Sequence, residues 1–209
     1  MVFLLQGDNK SARPFLEESL AIRRELGDKL GIAVTLNTLG EVARAEGDYA
    51  KARSLYEEST ALAREIGTQE IISANLTNLG AVAYHEGDFA SARSFYMEAL
   101  AITQELGHKA GISFSLDGFA AIVMRQGETE RAAQLAGAAE ALREVIGFEL
   151  ETNELIFRNR YVAETRAALD EADFAAAYEQ GRKLKLEEAV ALCLEQNNGE
   201  DKTAVINTA

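Results

Sequence analysis

The sequence predicts an all-α fold, a solenoid of antiparallel helix pairs, and three observations predict it. Glycine recurs every 40 residues in two series, Gly7, Gly47, Gly87 and Gly127, and Gly27, Gly67, Gly107 and Gly147. The second series lies midway between members of the first, which punctuates the chain at one helix per half-repeat. Residues 47–66 (GDYAKARSLYEESTALAREI) and 87–106 (GDFASARSFYMEALAITQEL) are identical at 10 of 20 aligned positions. Finally, 47% of the 209 residues are apolar and Pro14 is the only proline, so core material is ample and helix breakers are few.

The elements follow in order. Residues 7–26 (GDNKSARPFLEESLAIRREL) keep the Gly-Asp start and the Ala-Arg pair of the two related copies. In residues 47–66 the apolar positions are Tyr49, Ala52, Leu55, Tyr56, Leu62, Ala63 and Ile66. Their steps of three and four place them on one stripe of a helix. Gly47 suits the left-handed end of the preceding helix, and Asp48 offers a carboxylate to the free N–H groups of the next. The alternate half-repeats, 28–46, 68–86 and 108–126, are helical by the same test. Ile32, Leu36, Leu39, Val42 and Ala43 recur as Ile72, Leu76, Leu79, Val82 and Ala83. Asp28 and Thr68 are their natural N-caps. Gly40 and Gly80 fall inside these helices, where glycine costs about 1 kcal/mol relative to alanine. Two such glycines one period apart predict a neighbouring helix too close to admit a Cβ.

The fourth copy, from Gly127, has drifted and carries Ala136 where Tyr56 and Tyr96 stand. Three further helices are expected over 152–171, 173–182 and 186–196, as atypical units that close the end of the solenoid. Residues 197–209 have little apolar content and are expected to be disordered. The organisation is thus a repeat array over 1–147, a helical cap over 148–196 and a tail over 197–209. The chain opens at VFLLQGD, the last third of an inner helix, so the first repeat is truncated. The apolar edge Val2, Phe3, Leu4 and Leu5 then offers a contact for homo-oligomerisation.

Charge excludes some functions. The formal net charge is −13, with 34 acidic against 21 basic side chains. Such a surface repels phosphate backbones and anionic lipid, so no nucleic-acid or membrane partner is expected. No apolar run approaches the ~18 residues of a membrane span, and Met1–Leu5 is too short for a signal-peptide core. The lone Cys193 has no internal disulfide partner, and the chain reads as cytoplasmic.

The repeats resemble the tetratricopeptide repeat. The inner helices carry Leu39-Gly40 and Leu79-Gly80, and the outer helices carry Ala52, Tyr56, Ser59 and Ala92, Tyr96, Ala99. That family's unit is about 34 residues. The longer form resembles the repeats of kinesin light chains, spindle-orientation adaptors and bacterial regulators. The resemblance implies a right-handed superhelix. The end of the chain, with Phe174, Ala177, Tyr178, Gly181, Leu184, Leu186, Glu187, Ala189 and Val190, is similar to the C-terminal end of large bacterial ATPase-type transcription regulators. Those proteins often carry Trp at the position of Tyr178. No ATPase or DNA-binding module is present, so this resemblance implies that the chain is a fragment.

In such arrays the inner helices line a concave groove that binds protein. Carried over by position, the groove residues are Asn37, Thr38, Glu41 and Arg44, then Thr77, Asn78, Tyr84 and His85, then Asp117, Met124 and Arg125. Phe114 and the alanines Ala81 and Ala121 accompany them. Asn78 stands where peptide-binding members often place an asparagine that clamps ligand backbone. The expected partner is a protein or peptide, with a homo-oligomeric scaffold or a free-standing adaptor as the alternative. No cofactor or metal is expected. His85 and His108 read as exposed and lack the carboxylate spacing of metal sites, and Cys193 reads as packed into an apolar stripe. Glu57, Glu58 and Arg64 read as solvated charges paired along their own helix. Without a P-loop, a dinucleotide fingerprint or a nucleophile elbow, an enzyme is not expected.

Overall fold

A computed structural model describes residues 9–195. Among the described residues there are ten helices and no strand. They are α1 (Asn9–Leu26), α2 (Lys29–Ala45), α3 (Tyr49–Ile66), α4 (Gln69–Glu86), α5 (Phe89–Glu105), α6 (Lys109–Arg125), α7 (Thr129–Ile146), α8 (Thr152–Ala167), α9 (Glu171–Arg182) and α10 (Leu186–Leu194). The apolar edge Val2–Leu5 and the tail 197–209 lie outside the described residues.

The predicted turn chemistry is present. Gly47 and Gly67 adopt φ of +81° and +76°. The residue after each glycine closes a backbone bond to the carbonyl five positions before it on the outgoing helix, Asp48 to Ala43 and Thr68 to Ala63, both 2.9 Å. These bonds satisfy carbonyls that a helix end leaves free. Asp28, Asp48 and Asp88 then cap the next helix, accepting from Gly31, Lys51 and Ser91 at 2.9–3.1 Å. Thr68 holds the N-cap position, but its hydroxyl makes no capping bond.

The inner helices α2, α4 and α6 touch one another directly. Successive outer helices are tied by ion pairs at one register, Arg24–Glu58 at 2.6 Å between α1 and α3, and Arg64–Glu98 at 2.7 Å between α3 and α5. Glu58 and Arg64 therefore bridge repeats, and only Glu57 has an in-helix partner, Arg53 at 4.0 Å. Inner helix α4 packs on both α2 and α6, so the three inner helices form one face of the stack.

The glycines inside the inner helices are seats for buried tyrosines. A Cβ on Gly40 would meet the Tyr56 ring at 2.5 Å, and one on Gly80 would meet the Tyr96 ring at 2.9 Å. Gly118 faces the same Tyr96 ring. Both rings are fully enclosed. The propensity lost by glycine is thus offset by two of the largest side chains in the core.

The repeat order breaks after α7. The helix that packs along α7 is α9, not α8. Gly137 of α7 lies against the Tyr178 carbonyl, and Gly181 of α9 lies against the Gln134 carbonyl, so the two backbones touch. Phe174, Ala177 and Gly181 form the buried face of α9, so this part of the C-terminal motif is a docking surface. Helix α10 is held by its last carbonyls. Arg93 donates to Cys193 and Glu195, both at 3.2 Å, and Arg131 donates to Leu192 and Glu195. Two guanidiniums thus cap the negative end of that helix. Cys193 is fully buried.

Candidate binding groove

With α9 in the next position along α7, α8 lies across the inner face of the stack. Near its start Glu154 accepts from Arg44 of α2 at 2.9 Å. Further along, the Phe157 ring meets Tyr84 of α4 edge-on at 5.4 Å and His85 at 6.1 Å. Near its end Glu164 pairs with Arg125 of α6 at 3.0 Å. One helix therefore touches all three inner helices.

Its deepest contact is a buried polar network. The Tyr161 hydroxyl donates to one oxygen of Asp117 at 2.5 Å, and Arg143 of α7 donates to the other at 2.6 Å. Arg158 of α8 lies 3.7 Å from the same carboxylate. It also donates to Glu140 of α7 and, at 2.8 Å, to the Tyr178 hydroxyl of α9. Burial pushes the Tyr178 phenol up to about 12 against the pull of Arg158. Isolated charges at such depth are costly; here each has an opposite charge and a hydrogen bond.

The candidate residues divide three ways. Tyr84, His85, Asp117, Arg125 and, at the groove's edge, Arg44 are engaged by α8. His85 is half-buried rather than exposed, because its ring stacks on Tyr49 at 4.9 Å as well as meeting Phe157. Burial lowers its pKa, and Arg44 and Arg160 lower it further. Asn37, Thr38 and Met124 serve the fold. Asn37 donates to Asn75 at 2.8 Å, and Asn75 to Ser59 at 2.8 Å, a polar chain between α2, α4 and α3. Thr38 bonds the Val34 carbonyl at 3.1 Å, and Met124 packs on the largest core cluster.

Glu41, Arg44, Thr77 and Asn78 come together in a cavity of about 330 Å³ that α8 leaves open. Phe114 and Phe148, edge to face at 5.6 Å, border it. The Glu41 carboxyl is pushed up to about 7, first by burial, with Glu154 and Glu151 adding repulsion and Arg44 and Asn78 pulling back. Among the described residues no group of three or more His, Cys, Asp and Glu side chains could hold a metal. No described helix is long and apolar enough to cross a membrane.

A family profile described as tetratricopeptide repeat matches residues 1–65 and 71–144. The chain belongs to the tetratricopeptide repeat family. The match stops just short of Gly147, so the helix that fills the tetratricopeptide groove lies beyond it. Among solved structures the chain is similar to BtubC (BKLC) from P. vanneervenii, with 19% identity over 99% of this chain and 83% of that one, at a TM-score of 0.64. At that identity the likeness shows the fold alone. No curated protein matches the chain.

Sequence reasoning missed Glu154, Phe157, Arg158 and Tyr161, the side chains by which α8 reads the groove. A signal existed in the aromatic pair at i, i+4, Phe157 and Tyr161, flanking an arginine. Aromatic rings at that spacing share one helix face.

Proposed function

We propose that this tetratricopeptide chain is a non-enzymatic interaction and sensing module of a bacterial signalling or transcription regulator. Its concave groove takes a peptide, protein segment or effector beside α8. Tetratricopeptide repeats generally mediate protein–protein interaction, and the C-terminal motif from Phe174 to Val190 supports the regulator setting.

The observation that carries the reading is the open cavity. It mixes aromatic walls with a few convergent polar groups, the composition of a binding pocket rather than of a packing defect. That α8 already lies in the groove supports a helix or extended segment as a ligand of suitable shape. Glu151, Asn153 and Glu154 border the cavity at the start of α8. A ligand there touches α8 as well as the array, and so shifts the α8 seat by its differential affinity for the two arrangements.

The test is partner recovery from the native host with three forms of the chain. Thr77→Arg fills the cavity, Asn78→Ala removes its amide, and Met97→Arg alters an exposed position on an outer helix. The reading predicts partner loss with the first two and retention with the third. Loss only with Met97→Arg would place binding on the convex side. The regulator setting has its own test in the genomic reading frame, which it predicts to continue upstream into a nucleotide-binding module.

A further inference from the structure

Tyr96 grows from the outer helix α5, yet its ring ends at the groove. The ring passes between two glycines of the inner helices, Gly80 of α4 and Gly118 of α6. A Cβ on Gly118 would meet Cζ, the carbon that bears the hydroxyl, at 2.4 Å, and one on Gly80 would meet it at 2.9 Å. The hydroxyl end therefore lies between α4 and α6, beneath α8. There Tyr96 borders a recess of about 40 Å³ together with Asn78 and Ala81 of α4, Phe114 and Asp117 of α6, and Phe157 of α8.

Tyr96 is only 2% exposed, and its hydroxyl makes no hydrogen bond among the described residues. Burial holds the phenol well above its usual range, so it remains a donor. Tyr56, the equivalent ring one repeat earlier, differs, because its hydroxyl bonds Arg44. A buried donor without an acceptor is costly, and this one faces open space. The recess shares Arg44, Thr77, Asn78, Phe114 and Glu154 with the cavity of about 330 Å³, so the two are continuous. A group in the recess arrives on a stem laid through the larger cavity.

The lining selects the tip of that stem. Asp117 and Glu154 border the recess and repel an anion, while Arg44, held by Tyr56 and Glu154, disfavours a cation. A neutral tip that accepts from Tyr96 remains. A planar carboxamide meets every demand. Its carbonyl takes the phenol proton, its N–H groups match the oxygens of Asp117, Glu154 and Asn78, and its faces match the rings of Phe114 and Phe157.

We propose that this recess binds the primary carboxamide tip of a ligand, the chemistry of a glutamine or asparagine side chain. The Tyr96 hydroxyl donates to the amide carbonyl, and the stem lies against Phe114 and Phe148 in the larger cavity. The source is a side chain of a bound peptide or a free amide. This rests on the groove reading above and names the group that the groove recognises.

The test is titration of the isotope-labelled full chain, followed by amide chemical shifts, with three probes. They are N-acetyl-glutamine methylamide, its norleucine counterpart with an apolar tip, and pentanamide, which carries the amide on a plain alkyl stem. The glutamine probe is expected to shift Thr77, Asn78 and Phe114, and the norleucine probe to bind about tenfold more weakly. Tyr96→Phe keeps the ring and removes the donor. It is expected to unfold at the parent's temperature, because the hydroxyl holds no partner, and to bind the glutamine probe about tenfold more weakly. Preference for the glutamine probe over pentanamide assigns the source to peptide, and the reverse assigns it to a free amide; either sustains the carboxamide site. Equal binding of the norleucine probe, unchanged binding by Tyr96→Phe, or an ordered water as the sole occupant of the recess in crystals grown with the glutamine probe overturns it. A Tyr96→Phe protein that unfolds well below the parent also overturns it, since the hydroxyl would then serve the fold. If the amide probes fail while Thr77→Arg still abolishes partner recovery, the groove reading stands and the carboxamide site alone falls.

Discussion

Arg44 and Glu154 pair at 2.9 Å although 110 residues separate them in the chain. The contact fastens the first turn of α8 to α2, the inner helix farthest from it along the stack. Both side chains are mostly shielded, with 9% and 27% of their surface exposed, so solvent screens the pair less than a surface bridge. A double-mutant cycle with Arg44→Met and Glu154→Gln is expected to give a coupling of about 1–2 kcal/mol in urea unfolding. A coupling near zero would mean that α8 does not reach α2.

Asp117 is the anchor of α8. Replacing it with alanine leaves Arg143 and Arg158 buried with one opposite charge, Glu140, between them. The expected cost is about 3–5 kcal/mol. Tyr161→Phe removes one hydrogen bond and is expected to cost about 1–2 kcal/mol. Thermal unfolding checks both. Equal and small effects would show that the network does not form.

Gly80 gives a prediction whose sign is informative. Helix propensity alone favours Gly80→Ala by about 1 kcal/mol. The Tyr96 ring occupies the place of the new methyl, and overpacking of this kind costs about 1–3 kcal/mol. Net destabilisation is expected, relieved in the Tyr96→Leu background. A stabilised Gly80→Ala protein would contradict the tyrosine seat.

Glu41 makes stability depend on pH. Its folded pKa stands at about 7, raised from 4.5 chiefly by burial. The folded state therefore holds this proton more tightly than the unfolded chain does. That contribution is fully present below about pH 4.5 and is lost as pH rises through about 7. The difference amounts to roughly 2–3 kcal/mol. Glu41→Gln removes the dependence, so its stability relative to the parent is expected to rise between pH 5 and pH 8 by that amount. Denaturant midpoints at the two pH values measure it, and a constant difference would refute the burial of Glu41.

The array was legible because its determinants are local. Gly47, Asp48 and the apolar stripe of α3 act within one turn or one helix, and each recurs a period later. The tyrosine seats were legible as a cost, since Gly40 and Gly80 made sense only beside a close neighbour. The seat of α8 was not legible. Its exposed apolar residues include Leu155 and Ile156, while Arg158 and Thr165 are buried. Hydrophobic periodicity therefore misreads its inner face. Asp117, expected to meet a partner, instead meets Tyr161, a residue of no repeat. Arg93 illustrates the same limit. Its counterparts Arg13 and Arg53 pair with Glu46 and Glu86, but the matching position after α6 is Gln126, and Arg93 turns to α10 instead.

The most direct test of the groove as the interaction surface is site-specific photo-crosslinking in the native host. A photoreactive residue at Thr77 lies in the cavity, and one at Met97 lies exposed on an outer helix. The account predicts a discrete partner adduct from Thr77 and none from Met97. Adducts from Met97 alone, or from neither position while the partner still co-purifies, would contradict it.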